Sequence, residues 1–366
     1  MPVIERLVEL FSGLSIAQLE RVFELSTGVP TAMLERVVEL PTIVPAAVLA
    51  LAVAIALDLT VEEPPQRVHP VALFGRLVAI VDRQWQSPRP TGVFLAIGLP
   101  VLFAGLLAIP TALATRMDPT VGVIVAALAA FSTMSLGRLL STTSLVVAQT
   151  SSDVDAARES IVALVGRDVR ELGPAELRSG AVESLAENLA DGFVAPLVGF
   201  ALGAQLSLAW AIAFAAWVKG VNTLDSMLGY ESKAVGEASA RLDDLVMYLP
   251  ARISAVCIAV AARDPRALRR AGKWARRPRS PNSGWPMATL AVVLDVELRK
   301  ADGYVLNPTG NLPSVAAAKR GIRVVGVAGA LAVAGTGVIA WAGAGLFTWA
   351  GSDQTVWSTL GVIPWS

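Results

Sequence analysis

The chain has 366 residues, 54% hydrophobic and only 16% charged, with 30 basic and 30 acidic side chains and no net charge; its mean hydropathy is +0.59. Soluble domains carry about 25% charged residues, so the composition points to an integral membrane protein, and the balanced charge argues against capture of nucleic acid. One cysteine, Cys257, and one histidine, His69, exclude an intramolecular disulfide, a Cys-rich metal site and any zinc or haem ligand set.

Residues 1–45 carry a 15-residue repeat: Ile4 to Leu10, Leu19 to Leu25 and Leu34 to Leu40 each read as a short amphipathic helix, broken by Gly13, Gly28, Pro30, Pro41 and Pro45. A membrane-surface or partner-binding leader and a poorly ordered one both fit, and no cleavable signal peptide is visible. Ile43 to Leu57 is apolar but short for a span, and it ends at Asp58. The prolines of the polar stretch from Asp58 to Pro90 predict a rigid turn rather than a helix.

Gly92 to Thr115 and Val121 to Leu140 are candidate spans joined by a tight hairpin at Arg116–Pro119. The main hydrophilic region, about 141–192, predicts one helix over Ala156–Val165, stopped by Gly166, and a second from Gly173-Pro174 through Glu187. Phe193 to Val218 is interrupted by Pro196 and by Gly203-Ala204-Gln205, so it reads as one span or as a re-entrant hairpin of two short helices. Leu245 to Ala262 is a further candidate span, and a strongly basic helix is expected from Arg263 to Arg279. Val324 to Trp349 is the last span; Trp349, Trp357 and Trp365 suit an interfacial belt in the tail, 350–366.

This is the pattern of an all-α, polytopic transmembrane helical bundle, with a membrane-embedded domain over 46–349. Its orientation holds a conflict. The basic segment after residue 262 should be cytoplasmic, yet six simple crossings would place Asn222–Asp244 on the opposite side from Asp153–Asp191. Making 193–218 re-entrant brings that segment back, but Leu245–Ala262 then cannot be a simple crossing.

The polar residues between Glu183 and Arg252 organise the chain. Glu183, Glu187 and Asp191 share one helix face and repel one another, which a cation such as Mg²⁺ or an arginine would relieve. Asn222, Asp225 and Ser226 form a second patch, one turn beyond Lys219, whose compact charge suits phosphate. Arg241 with Asp243-Asp244 forms a third, and Arg252 follows. Each has a plain alternative: a solvated helix face, a snorkelling arginine, or a helix stop at Gly166-Arg167-Asp168. His69 could serve as base or ligand, or only build its Pro-rich turn. No Walker-type loop and no dinucleotide fingerprint is present.

Taken in order, these stretches resemble the adenosylcobinamide-phosphate synthase family, integral membrane enzymes of cobalamin biosynthesis. The resembling residues are Asp58 with Pro64-Pro65, Arg67, His69-Pro70 and Gly75-Arg76; Val165-Gly166-Arg167-Asp168; and Glu183, Glu187-Asn188 and Asp191-Gly192. They continue in Val221 to Met227 with Gly229-Tyr230, in Ala238 to Asp244, in Leu249-Pro250-Ala251-Arg252, and in Ser280-Pro281-Asn282 with Gly284-Trp285-Pro286. Glu63 stands where the family usually has Asp, Val68 where it often has an aromatic residue, and the leader has no counterpart.

The resemblance implies an ATP-dependent amide ligation joining adenosylcobyric acid to aminopropanol or its phosphate, with ATP and Mg²⁺ as cofactors. It implies Glu187, Asp191 and Asp225 toward Mg²⁺, and Lys219, Arg167 and Arg241 toward phosphate. His69, Arg76, Asp168, Glu183, Asn188, Asn222, Asp244, Arg252 and Asn282 complete the expected site. Corrinoid and amino-alcohol substrates, the lipid bilayer and a cytoplasmic-side site in the cell membrane follow, with homo-oligomers or pathway enzymes left open as partners. A secondary transporter and a scaffold for corrinoid enzymes are the rival readings; no inverted repeat favours the first.

Overall fold

The computed structural model describes residues 45–352 except 167, 231, 301 and 302. The leader repeat, Arg167, Trp357 and Trp365 lie outside the described residues. Helix α1 (Ala46–Val61) leads into the Pro-rich turn and then into α2 (Pro70–Val81). That helix corrects the expectation of a turn alone: Pro70 sits at its first position, where the missing N–H is not needed and the fixed φ already suits a helix. Helix α3 (Pro88–Met117) and α4 (Pro119–Phe131) form the expected hairpin. Asp118 ends the first and caps the second, accepting from the Thr120 and Val121 N–H groups. Helix α5 (Leu136–Gln149) continues the line of α4 after a break.

In the hydrophilic region α6 covers only Val154–Ile161. Helix α7 (Pro174–Leu189) runs through a π-helical turn, Ala190–Val194, into α8 (Ala195–Gly203). Residues 204–207 reverse the chain into α9 (Leu208–Leu228). The stretch 193–218 is therefore neither one span nor two short helices, but the tip of a hairpin with long arms. Gly199 and Gly203, spaced as in membrane helix pairs, allow it. A Cβ on Gly199 would lie 2.7 Å from the Phe214 carbonyl oxygen, and one on Gly203 2.1 Å from that of Trp210.

Beyond α9 come α10 (Glu237–Val246), α11 (Tyr248–Ala261), α12 (Ala267–Ala271), α13 (Gly284–Leu294), a two-stranded antiparallel hairpin (Leu298–Lys300 with Tyr304–Leu306) and α14 (Val315–Ser352). The basic helix expected over 263–279 shrinks to five residues. Pro265, Gly272 and Pro278 interrupt it, removing donors or costing backbone entropy. Its Ala267, Ala271 and Ala275 are fully buried, so a short apolar stripe holds the segment while its cations face outward.

Four helical stretches are long and apolar enough to cross a membrane: Pro88–Met117, Pro119–Gln149, Pro174–Gly203 and Val315–Ala342. The pair α10–α11, bent by 45°, is the one further candidate among the described residues. The main core joins α1, α4, α5, α7, α8, α9, α11, α13 and α14, and is built largely of Ala, Val and Leu. A second core, with Phe74 stacked on Phe103 at 4.7 Å, packs α2 against α3 and α9.

Candidate functional site

Three interruptions of helical structure meet in the interior. The break between α4 and α5 places the Ser135 N–H on the Gly192 carbonyl at 3.2 Å, inside the π-helical turn. Met247, at the bend between α10 and α11, packs with Ala190, Ala195 and Val218 beside that turn. Irregular backbone at membrane depth is tolerated only where protein encloses it, and π-helical turns recur at functional sites. Here the turn carries Asp191.

Charged groups converge on this point from four segments. Asp191 interacts electrostatically with Glu187, Asp243, Lys219 and Asp225. Lys219 also faces Glu63 of the Pro-rich turn, and His69 lies within range of both Glu63 and Lys219. Asp243 is buried at 9% exposure with Asn222 beside it. Asp225 and Asp243 each keep a buried Oδ1 with no hydrogen-bond partner. The result is a carboxylate-rich cluster with one lysine facing Asp191 and Glu63; Asp243 is buried, and Glu187, Asp191, Lys219 and Asp225 are half-buried.

The structure thus resolves the conflict left by the sequence. Because α7–α8 and α9 form one hairpin, the polar end of α9 comes back to the level of Asp191, and the two patches share one site. Helix α11 by itself is short for a simple crossing. Its 14 residues span about 21 Å, less than a hydrocarbon core of about 30 Å. The eight Lys and Arg of 263–279 then lead back to Asn282, which bonds Arg252 near the start of α11. A crossing would require that segment to recross the bilayer, at about 2.5–3.5 kcal/mol for each cation at its centre.

A latch holds one wall. Arg252 donates to the Pro281 and Tyr248 carbonyls and to the Asn282 side chain, and its guanidinium lies 3.9 Å from the Tyr248 ring centre. Asn282 donates to the Asp244 carbonyl at 2.7 Å, and the Ser280 hydroxyl to Asp244 Oδ1 at 3.0 Å. The expected site residues Asp244, Arg252 and Asn282 therefore join one another and border the cluster through Asp243.

Other expected residues lie elsewhere. Arg241 is exposed and pairs with Glu237, on the opposite face of α10 from Asp243. Asp168 pairs with Arg170, whose hydrogen bonds hold its carboxyl at about 2. Arg76 is exposed on α2. Glu183 is buried and accepts from the Tyr304 hydroxyl at 2.8 Å, while Asn188 donates to Ser184 one turn earlier. The Nδ1 of His69 accepts the Val71 N–H at 3.2 Å and so caps α2. The sequence marked Glu63 and Ser280 only as motif positions, and of the Asp243-Asp244 pair it placed Asp244 in the expected site. Helical register held the signal for Asp243, which lies two residues, over half a turn, from the exposed Arg241.

For a hard cation the donor chemistry fits: the carboxylates are of like charge, and the Oδ1 atoms of Asp225 and Asp243 are buried without a hydrogen-bond partner. Among the described residues, however, no three His, Cys, Asp or Glu side chains converge into a ready-made metal cage.

Comparison with known proteins shows the family of the chain. The family described as CobD/Cbib protein matches residues 51–349. The cobalamin biosynthesis protein CobD of Klebsiella pneumoniae is 35% identical over 273 residues, covering 70% of this chain and 83% of that protein. The probable cobalamin biosynthesis protein CobD of Methanothermobacter thermautotrophicus is 33% identical over 269 residues, covering 70% and 85%. The cobalamin biosynthesis protein CbiB of Salmonella paratyphi A is 34% identical over 293 residues, covering 75% and 89%. No solved structure matches the chain.

Proposed function

The chain belongs to the CobD/Cbib protein family and so has a role in cobalamin biosynthesis; on that premise we propose that it is a ligase. It joins a side-chain carboxylate of adenosylcobyric acid to the amine of aminopropanol or its phosphate, at the expense of ATP. The observation that carries this reading is Asp191, which gathers Glu187, Asp225 and Asp243 on one side and faces Lys219, itself beside Glu63.

The chemistry asks two things of such a site. The substrate carboxylate attacks the γ-phosphorus of ATP, releasing ADP and leaving an acyl phosphate. The amine nitrogen then attacks the acyl carbon, phosphate departs, and the nitrogen loses a proton. Lys219 holds the transferring phosphoryl oxygens by charge and position. The buried Asp243 carboxylate accepts the amine's proton. Asn222 orients the nucleophile, and the Arg252–Asn282–Asp244 latch keeps α10 in register with it. Glu187 and Asp191, with Asp225, would hold Mg²⁺, which supplies charge neutralisation to the nucleotide when bound.

The deciding experiment supplies purified protein with ATP, Mg²⁺, adenosylcobyric acid and aminopropanol phosphate. The expected result is a coupled corrinoid formed in step with ADP. Corrinoid binding without ADP formation would reject the ligase reading in favour of a carrier or scaffold.

A further inference from the structure

Away from the charged cluster, a groove of about 1070 Å³ runs between α3, α8, α9 and the α10–α11 bend. We propose that it is a binding site for one anionic phospholipid, with the phosphate on Arg116 and an acyl chain along α9.

The polarity of the groove is one-sided. The hydroxyl and charged side chains lining it are Thr115, Arg116 and Ser207, all at the end where α3 finishes and α9 begins. Two of these are already engaged: Thr115 donates to the Thr111 carbonyl, and the Ser207 hydroxyl accepts the Trp210 N–H. Arg116 is exposed and, among the described residues, has no carboxylate partner. The nearby carboxyl of Asp118 is turned to α4, where N–H bonds from Val121 and Thr120 hold it below the usual carboxylate range.

From Arg116 the groove extends to Val101 and Val246, at the level of the apolar septum that separates it from Asp191 and Lys219. Fifteen residues of α3 correspond to about 22 Å, longer than one leaflet of a core of about 30 Å. A cation at one end of a long apolar trough is complementary to a single anionic head with a hydrocarbon tail. An amide-rich soluble substrate would find, along its length, only the indole N–H groups of Trp210 and Trp217 as side-chain hydrogen-bonding partners. Because α3 and α9 run antiparallel, with Pro100 against Gly220 and Gly92 against Val235 just beyond the end of α9, Arg116 lies at the membrane face remote from the cluster. This lipid site does not depend on the ligase chemistry.

Trp210 and Trp217 line the groove and report on it directly. The full chain is placed in phosphatidylcholine nanodiscs, and tryptophan emission is followed as dibromo-phosphatidylglycerol or dibromo-phosphatidylcholine is added. Emission lost in the Trp210→Phe/Trp217→Phe variant defines the groove signal. One interfacial cation predicts about a fivefold preference for the anionic lipid. Arg116→Gln should abolish the preference, Arg116→Lys should retain it, and Ala213→Leu, which fills the trough, should weaken quenching by both lipids. Equal quenching by the two lipids in the unaltered chain would overturn the proposal. So would a preference that survives Arg116→Gln, or a groove signal that neither lipid reaches because a second copy of the chain covers it.

Discussion

Asp58 caps a helix that begins far along the chain, and Gly137 is the residue that lets it do so. The buried Asp58 carboxylate accepts the Gly137 N–H at 3.0 Å and the Leu136 N–H at 3.1 Å, satisfying two of the free donors at the start of α5. A Cβ on Gly137 would fall 2.1 Å from the Asp58 carbonyl oxygen. The contact fixes the break between α4 and α5, and with it the Ser135–Gly192 hydrogen bond that supports the π-helical turn. Asp58→Ala should lower stability by about 2 kcal/mol, the upper end for a lost cap. Gly137→Ala should cost about 1–3 kcal/mol through overpacking. Thermal unfolding in detergent measures both, and unchanged midpoints would show that the break is held by other contacts.

His69 sets a pH dependence of stability. Its Nδ1 accepts a hydrogen bond, so the capping form is the neutral ring, and burial lowers its pKa from the ordinary value of about 6.5. A folded-state value below the unfolded one means that stability is present above about pH 6.5 and lost as pH falls toward the folded value. The unfolding midpoint should therefore drop between pH 7 and pH 5.5. His69→Asn, which caps without titrating in this range, should flatten that part of the profile. A variant profile as steep as the parent's would assign the effect to other groups.

Glu187→Gln keeps the shape of the side chain and removes its charge. If Glu187 and Asp191 receive Mg²⁺ with the nucleotide, the apparent Mg²⁺ affinity should fall by about tenfold or more, a difference of about 1.4 kcal/mol, and the rate should fall with it. Titrating activity against Mg²⁺ at fixed ATP decides the matter. An unchanged curve would leave the carboxylate a purely structural neighbour of Asp191.

Residues on the two arms that build the cluster should share a compartment. Ser152 and Ser232 are exposed, whereas Ser184 is buried against Leu164 and unsuited to labelling. In a Cys257→Ser background, Ser152→Cys and Ser232→Cys should react with an impermeant thiol reagent from the same side of sealed vesicles. Leu206→Cys, at the exposed hairpin tip, should react from the other. Labelling of Ser152→Cys and Ser232→Cys from opposite sides would divide the cluster and revive the transporter reading.

Deleting residues 1–41 removes the leader repeat and nothing that the family match covers, since the match begins at residue 51. Turnover of the ligation should stay nearly unchanged, although the amount of protein reaching the membrane can fall. A well-folded truncated chain with no ligase activity would show that the leader takes part in catalysis.

The sequence by itself determined the class of this protein. Apolar runs of span length, few charges and an ordered set of polar motifs specify a helical membrane protein of one family, because hydrophobic length and residue type are local properties. It also marked Lys219, Glu187, Asp191 and Asp225, since charge beside an apolar run is costly unless it is used. Which of the marked residues meet was decided only by the tertiary structure. Asp243 enters the cluster while Arg241, two residues away, faces out to Glu237, a choice made by packing of α10 against its neighbours. Asp58 reads only as the end of an apolar run and a position in a motif, yet its hydrogen-bond partners lie 78 and 79 residues away. The return of α9 to the level of Asp191 rests on two glycines that let carbonyls approach within van der Waals distance. Contacts of that kind join residues remote in sequence, and a pattern of neighbours along one chain carries no trace of them.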